Sequence, residues 1–101
     1  MYSVVWQYQV KVGAEEKFIA LYNSTGEWVQ WFKESPHFIR TDLMRSTESS
    51  GVFVTIDWWE SKKAYEKFYD SNPKRREAID LKGENFTHEE KRIGSYEVIE
   101  N

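Results

Sequence analysis

The chain has 101 residues, of which 40% are hydrophobic and 17% aromatic, a composition that supports one folded core and argues against intrinsic disorder. Its 14 basic and 17 acidic residues give a net charge of -3, so no overall positive field attracts phosphate, and we expect no nucleic-acid partner. The chain contains no cysteine, which excludes a disulfide framework, a thiolate zinc cluster and a thiol nucleophile, and fits a reducing compartment.

The first element in the chain is a short apolar segment at residues 1–7. No basic residues precede it, and polar residues interrupt it too early for a signal peptide or a membrane span. We therefore expect no membrane association and a cytoplasmic location. Alternation at every second position predicts instead a strand with one strongly apolar face, formed by Tyr2, Val4, Trp6, Tyr8, Val10 and Val12.

Two helical segments follow this strand. Apolar residues at helical spacing behind an acidic first turn predict a helix over residues 14–24. Ser24-Thr25-Gly26 is expected to break the first helix. Trp28, Trp31 and Phe32 on one face then indicate a second, shorter helix, which Ser35-Pro36 ends.

A hairpin is predicted next, from strands at residues 37–45 and 52–59 joined by a polar turn. Ser61 is expected to cap a third helix, and Asn72-Pro73 supplies a cap and first-turn proline for a fourth. We expect Gly83 to stop that helix. Residues 87–90 have the form of a capping box for one short turn, and residues 93–99 then form the last strand.

The resulting order is β, α, α, β, β, α, α, β. With each helix pair counted once, it is βαββαβ, in which right-handed crossovers give a four-stranded antiparallel sheet with the helices on one face. The sequence therefore predicts an α+β, ferredoxin-like fold. No linker, repeat or low-complexity tract indicates a second domain, so we expect residues 1–101 to form a single domain.

The helices cover only one face of such a sheet. We expect them to cover the apolar rows Val4-Trp6-Tyr8 and Val52-Val54-Ile56-Trp58. The opposite face then carries Val5, Phe53, Thr55 and Trp59 beside Gln7, Gln9 and Asp57, a mixture that suits a protein interface. We therefore predict a homodimer; the alternative is a solvated sheet face with scattered apolar residues.

Three stretches resemble the antibiotic-biosynthesis-monooxygenase-like family. In one, a strand runs through Trp58-Trp59-Glu60-Ser61 into a helix with the pair Ala64-Tyr65; the others are Gly26-Glu27-Trp28 ahead of Phe32 and Pro36, and residues 89–94. The resemblance implies a dimeric α+β barrel, in which two sheets pack face to face and each subunit keeps a cleft between its sheet and its helices. Relatives include cofactor-independent oxygenases of aromatic polyketides or quinols and enzymes that degrade haem.

Haem degradation is disfavoured by the residues of this chain. The haem-degrading relatives use an Asn, a Trp and an axial His, and Trp6, Phe68 and Ala78 stand at the matching positions. His37 and His88 are the only histidines, and we interpret them as surface or loop residues. We predict no metal site and no cofactor.

An oxygenase without a cofactor needs an apolar cleft with hydrogen-bond donors near the substrate oxyanion. The predicted ligand-binding residues are Trp6, Tyr8, Trp28, Phe32, Trp58, Tyr65 and Phe68, although aromatic residues at such spacings also form plain core. Tyr8 and Tyr65 are candidate donors to an oxyanion. His37 and Asp57 are candidate proton acceptors.

The hypothesis is therefore a cofactor-independent monooxygenase-like protein acting on a small aromatic or quinol-type compound. The alternative is a non-catalytic dimeric module that binds a small hydrophobic ligand. An open cleft reached by a tyrosine or histidine favours the oxygenase, and a cleft filled by tryptophans favours the binding module.

Overall fold

The computed structural model describes residues 1–100 and contains four strands and four helices in the predicted order. They are β1 (Tyr2–Val10), α1 (Glu15–Tyr22), α2 (Glu27–Phe32), β2 (Phe38–Arg45), β3 (Val52–Trp59), α3 (Lys62–Tyr69), α4 (Pro73–Glu84) and β4 (Thr87–Glu97). The strands form one antiparallel sheet in the order β2-β3-β1-β4, with the helices on one face. The predicted ferredoxin-like α+β fold is confirmed.

Local signals place the helix starts. Ser61 Oγ accepts a hydrogen bond from the Ala64 amide at 3.1 Å and caps α3, while Asn72 Oδ1 accepts one from the Arg75 amide at 3.2 Å and caps α4. Gly26 precedes α2 in a turn so tight that a Cβ there would lie 2.1 Å from the Leu21 carbonyl oxygen. The capping predictions at Ser61 and Asn72 are confirmed.

Two boundary predictions near the C-terminus are wrong. Helix α4 continues through Gly83 to Glu84, so this glycine does not stop it. Residues 87–90 form no capping turn; they begin β4, where Thr87 is opposite Val10 and Glu90 is opposite Tyr8. Pairing with the full length of β1 satisfies more backbone groups than one isolated helical turn would, and it overrides the local capping signal.

The prediction for the faces of β3 is also wrong. In the β1–β3 ladder Tyr8 is opposite Phe53 and Tyr2 is opposite Trp59, and directly opposed residues share a face. The helix-covered row of β3 is therefore Phe53, Thr55, Asp57 and Trp59, and Val52, Val54, Ile56 and Trp58 lie on the opposite face. Each row of β3 carries large apolar residues, and alternation favoured the row without Thr55 and Asp57, which is the wrong one. The β1 prediction for Val4, Trp6 and Tyr8 is confirmed.

The core between sheet and helices is mainly aromatic. Its largest fully buried side chains are Trp31 of α2, Trp59 and Phe53 of β3, and Phe18 of α1. Trp59 packs edge-on against Phe32 with ring centroids 5.3 Å apart. These rings fix the separation of helices and sheet and leave one small space between them.

Candidate functional site

A cavity of about 30 Å³ lies between the sheet and the helices, and we call it the sheet–helix cavity. Each of the eight elements contributes at least one side chain to its lining. Its aromatic lining consists of Trp6, Tyr8, Tyr22, Trp28, Phe32, Tyr65 and Tyr69, and its other lining residues are Thr41, Thr55, Asp57, Asp80 and Glu90. The volume suffices for one or two water molecules, since a cavity that binds benzene measures about 150 Å³.

Asp57 is a carboxylate on the helix-covered face of the sheet. Its Oδ1 accepts a hydrogen bond of 2.6 Å from the Thr41 hydroxyl on the neighbouring strand β2. Burial raises the pKa of Asp57 from 3.8 to about 6, against the opposing effect of the Thr41 hydrogen bond. Asp57 is therefore ionised at neutral pH, yet it is a stronger base than an exposed carboxylate.

Two tyrosines beside Asp57 remain protonated. The Tyr8 hydroxyl and Thr55 Oγ1 are 3.2 Å apart and share a buried hydrogen bond in which either can donate. Burial raises the pKa of Tyr8 and of Tyr65 well above the ordinary value for tyrosine. Both hydroxyls are therefore neutral groups able to donate a hydrogen bond into the cavity.

The far side of the cavity is acidic. Burial and, to a smaller extent, the negative charges of Asp80 and Glu84 raise the pKa of Glu90 from 4.5 to about 7. Burial and the charge of Glu84 likewise raise the pKa of Asp80. Their negative charge makes this side of the cavity better suited to neutral or cationic groups than to anions.

Two polar atoms in the lining have no hydrogen-bond partner. They are the Tyr22 hydroxyl oxygen, at the end of α1, and the Trp28 indole nitrogen, in α2; both atoms are inaccessible to solvent. The Trp28 N–H lowers the pKa of the Tyr22 hydroxyl, against the larger effect of burial, which raises it. The two groups therefore interact with each other in the cavity wall and are closed to solvent.

The structure places five of the seven predicted ligand-binding residues at the cavity: Trp6, Tyr8, Trp28, Phe32 and Tyr65. Trp58 is not among them, because β3 faces the other way. It lies on the opposite face of the sheet, where its indole N–H donates to Asp42 Oδ2 at 2.9 Å and Arg40 stacks over its ring at 5.5 Å. The expectation that Trp58 projects between sheet and helices is wrong.

Phe68 also lies away from the cavity. Its ring packs on Trp31 and Trp59, with centroids 5.0 and 5.5 Å away, and it borders a separate surface groove of about 590 Å³ between α3 and the α2–β2 loop. The helical spacing of apolar residues in α3 correctly predicted that Phe68 packs on the core. It did not predict that the ring borders the surface groove and not the sheet–helix cavity.

Of the four predicted catalytic candidates, Tyr8, Asp57 and Tyr65 line the cavity and His37 does not. His37 precedes β2 with its side chain 54% exposed, and its Nδ1 lies 2.7 Å from Glu60 Oε2 at the edge of the surface groove. The histidine is thus separate from the carboxylate and tyrosines. The chemical roles of the three residues that meet at the cavity stay predictions.

Sequence reasoning missed six lining residues: Tyr22, Thr41, Thr55, Tyr69, Asp80 and Glu90. A correct assignment of the β3 rows would have brought Thr55, together with Asp57, to the helix-covered face. Glu90 was missed because residues 87–90 were interpreted as a capping turn and not as the start of a strand. Nothing in the local pattern distinguishes Tyr22 or Asp80 from other polar residues on amphipathic helices.

Within residues 1–100, no group of three or more His, Cys, Asp and Glu side chains is arranged to hold a metal ion. None of the helices described is both long and apolar enough to cross a bilayer.

Solved structures with the same fold include an oxygenase. SnoaB from Streptomyces nogalater, a cofactor-independent oxygenase, superposes with a TM-score of 0.78 at 17% identity, over 99% of this chain and 94% of that one. An anthrone oxidase-like protein gives a TM-score of 0.74 at 18% identity, over 98% of this chain and 44% of that one. Rv0793 from Mycobacterium tuberculosis gives 0.74 at 12% identity, over 99% and 96%.

These similarities show the fold alone, since all three identities are low. A search of curated protein sequences gave no match. The family profile described as antibiotic biosynthesis monooxygenase matches residues 1–79, which include β1 to α3 and most of the cavity lining. The chain belongs to the antibiotic biosynthesis monooxygenase family.

Proposed function

We propose that the protein is a cofactor-independent monooxygenase that acts on a small phenolic or quinol-type compound bound in the sheet–helix cavity. The observation that carries this proposal is the partly buried Asp57, whose pKa is raised to about 6 and which stands among neutral tyrosine hydroxyls. A general base works best when its pKa lies near the operating pH. Family membership supports monooxygenase chemistry of this general kind.

The first step is removal of a proton from the substrate by Asp57. Thr41 holds Oδ1 of the carboxylate, so Oδ2 is the oxygen left to accept the proton. Tyr8 and Tyr65, kept protonated by burial, then donate hydrogen bonds to the oxygen on which negative charge develops. One base and two neutral donors thus stabilise a substrate anion.

The substrate anion is the reductant for dioxygen. It transfers electrons to dioxygen, a carbon–oxygen bond forms to give a hydroperoxide, and loss of water leaves a carbonyl. The substrate in this step is the keto tautomer, in which a CH₂ group is flanked by the aromatic ring or the carbonyl. One oxygen atom ends in the product and the other in water, whose two hydrogens come from that CH₂ group, so the reaction needs no other reductant. The aromatic lining excludes bulk water from the reactive anion.

A substrate ring needs more room than about 30 Å³. Trp6 and Tyr69 line the cavity and are only partly buried, so they are the side chains we expect to move when a ligand binds. The substrate that enters the cavity is neutral in this proposal, because the carboxylates of Asp57 and Asp80 disfavour the binding of an anion.

The proposal includes a homodimer joined through the uncovered face of the sheet. That face carries the row Val52, Val54, Ile56 and Trp58, and is more apolar than the sequence predicted. Tyr96 of β4 and Met44 of β2 add 52% and 45% exposed side chains to it. An extended apolar surface of this kind suits an interface. A cytoplasmic location is part of the proposal, and the cysteine-free composition supports it.

The direct test measures dioxygen consumption by purified protein with anthrone and a naphthoquinol, in the presence of a metal chelator and without flavin. Because such compounds oxidise slowly by themselves, the quantity compared is the protein-dependent rate. We expect uptake with the wild type and a loss of about 100-fold in kcat for Asp57→Asn, the usual contribution of a general base.

No protein-dependent uptake across the panel would overturn the oxygenase. If the same compounds still bind, the alternative of a non-catalytic binding module takes its place, which the small cavity volume favours. His37→Asn is the matched control, because His37 lies outside the cavity and its replacement should leave the rate unchanged.

A further inference from the structure

We propose that the sheet–helix cavity also binds a small primary ammonium ion, held by the carboxylates of Asp80 and Glu90, the Tyr65 hydroxyl and the surrounding aromatic rings. This inference goes beyond the proposed function, because the ligand is a cation and does not react with dioxygen.

The first argument is uncompensated negative charge. Asp57, Asp80 and Glu90 line a space of about 30 Å³, and the lining contains no lysine, arginine or histidine. None of the three carboxylates takes part in an ion pair among residues 1–100. Carboxylates removed from solvent without a cation hold their protons more tightly, and the pKa values of all three are raised. A cation in the cavity would relieve this repulsion.

Two arginines near the cavity leave that charge uncompensated. Arg76 of α4 lowers the pKa of Asp80, but its Nη1 donates to the Tyr69 carbonyl oxygen at 2.6 Å and its guanidinium lies over the Tyr69 ring at 4.7 Å. Arg92 lowers the pKa of Tyr65 and forms no ion pair within residues 1–100. The position for a cation inside the cavity is therefore left to a ligand.

The second argument is a buried hydroxyl that lacks a partner. Tyr65 is 8% exposed, and its ring is fixed against Trp59 at 5.6 Å and Tyr69 at 5.2 Å. The hydrogen bonds between cavity residues join Tyr8 to Thr55 and Thr41 to Asp57, and they leave the Tyr65 hydroxyl free. Unlike the Tyr22 hydroxyl, it is not closed to solvent. Its oxygen can accept a hydrogen bond from a ligand N–H.

The third argument concerns the kind of cation. An ammonium head is about the size of a water molecule, so it fits a cavity of about 30 Å³ without movement of the walls. Its three N–H groups match three acceptors, and the faces of tryptophan and tyrosine rings attract it. Within residues 1–100 no group of carboxylates and histidines is arranged to hold a metal ion. These features favour an organic ammonium ion over a metal.

The test compares two probes of equal length, n-butylammonium chloride and 1-butanol, which differ in charge at the head. Each is titrated into ¹⁵N-labelled protein at constant ionic strength while the five tryptophan indole signals are followed by NMR. At about pH 8, where Glu90 is mostly ionised, we expect n-butylammonium to bind about tenfold more tightly than 1-butanol and to shift the Trp6 signal.

Glu90→Gln removes one carboxylate and keeps the shape of the side chain. It should weaken n-butylammonium binding about fivefold and leave 1-butanol binding unchanged. Glu89→Gln is the matched control, because it changes the net charge equally but Glu89 is exposed and outside the cavity. Asp80→Asn provides a second variant with the same expected loss. Unfolding midpoints of all variants confirm that each is folded.

The pH dependence gives an independent readout. Glu90 loses its proton near pH 7, whereas the amine keeps its proton to about pH 10, as lysine does. The affinity for n-butylammonium should therefore rise between about pH 6.5 and about pH 8 in the wild type, and much less in Glu90→Gln. Neither histidine lines the cavity, and Asp57, with a pKa of about 6, is mostly ionised over this range.

Equal affinity for the two probes, equal losses in Glu90→Gln and Glu89→Gln, or an affinity for n-butylammonium that stays constant over this pH range would overturn the ammonium site. Neither probe is oxidised in the proposed reaction. Ammonium binding without dioxygen uptake would retain this site and reject the oxygenase, and uptake without ammonium binding would do the reverse.

Discussion

The raised pKa of Asp57 makes the stability of the protein depend on pH in a defined window. The pKa rises from its ordinary value of 3.8 to about 6. At about 1.4 kcal/mol per pKa unit, this corresponds to about 3 kcal/mol, and we expect about 2–3 kcal/mol because solvent reaches this partly exposed group. Below pH 3.8 the tighter proton binding of the folded state contributes fully to stability. This contribution is lost as the pH rises through 6.

Asp57→Asn isolates this effect. The amide has nearly the shape of the carboxyl, its oxygen still accepts from Thr41, and it does not titrate. The difference in unfolding free energy, wild type minus variant, should fall by about 2–3 kcal/mol between pH 4 and pH 7 and stay level above that range. Glu90 titrates in both proteins, so its contribution cancels in the difference.

The measurement is urea unfolding followed by tryptophan fluorescence at half-unit steps of pH, with both proteins at one fixed concentration because association would otherwise shift the midpoints. Thr41→Val provides a second test. Its hydroxyl lowers the pKa of Asp57, so removing it should move the window to higher pH. Parallel stability curves for the wild type and Asp57→Asn would refute the reasoning, whatever the absolute stability of the variant.

Two further predictions concern packing. Gly83→Ala should destabilise the wild type by about 1–3 kcal/mol, because the new Cβ would lie 2.3 Å from the Tyr22 hydroxyl oxygen. In a Tyr22→Phe background the same substitution should cost less than half as much. Equal losses of unfolding free energy in the two backgrounds, measured by urea unfolding, would show that the hydroxyl is not the obstacle. In sedimentation analysis at micromolar concentration, the wild type should have about twice the chain mass of 12.1 kDa, and Ile56→Lys on the uncovered sheet face should sediment as a monomer with unchanged circular dichroism. A wild-type monomer would contradict the proposed interface.

The sequence alone was sufficient for the element order and the fold class. Alternation in β1, the caps at Ser61 and Asn72, and the aromatic stripes of the helices are local patterns that directly reflect local backbone geometry. The same patterns identified Trp6 and Tyr8 as cleft residues, and the structure places both at the sheet–helix cavity.

Tertiary structure alone decided which row of β3 faces the helices, because both rows carry large apolar residues and a slip of one residue exchanges them. That choice moved Trp58 out of the cavity and brought both Thr55 and Asp57 into its lining. The pairing of β4 with β1 brought Glu90 to the same space, and the packing of α1 against α4 at Gly83 positioned the Tyr22 hydroxyl. Each of these depends on contacts between residues far apart in the chain, and local periodicity carries no information about such contacts.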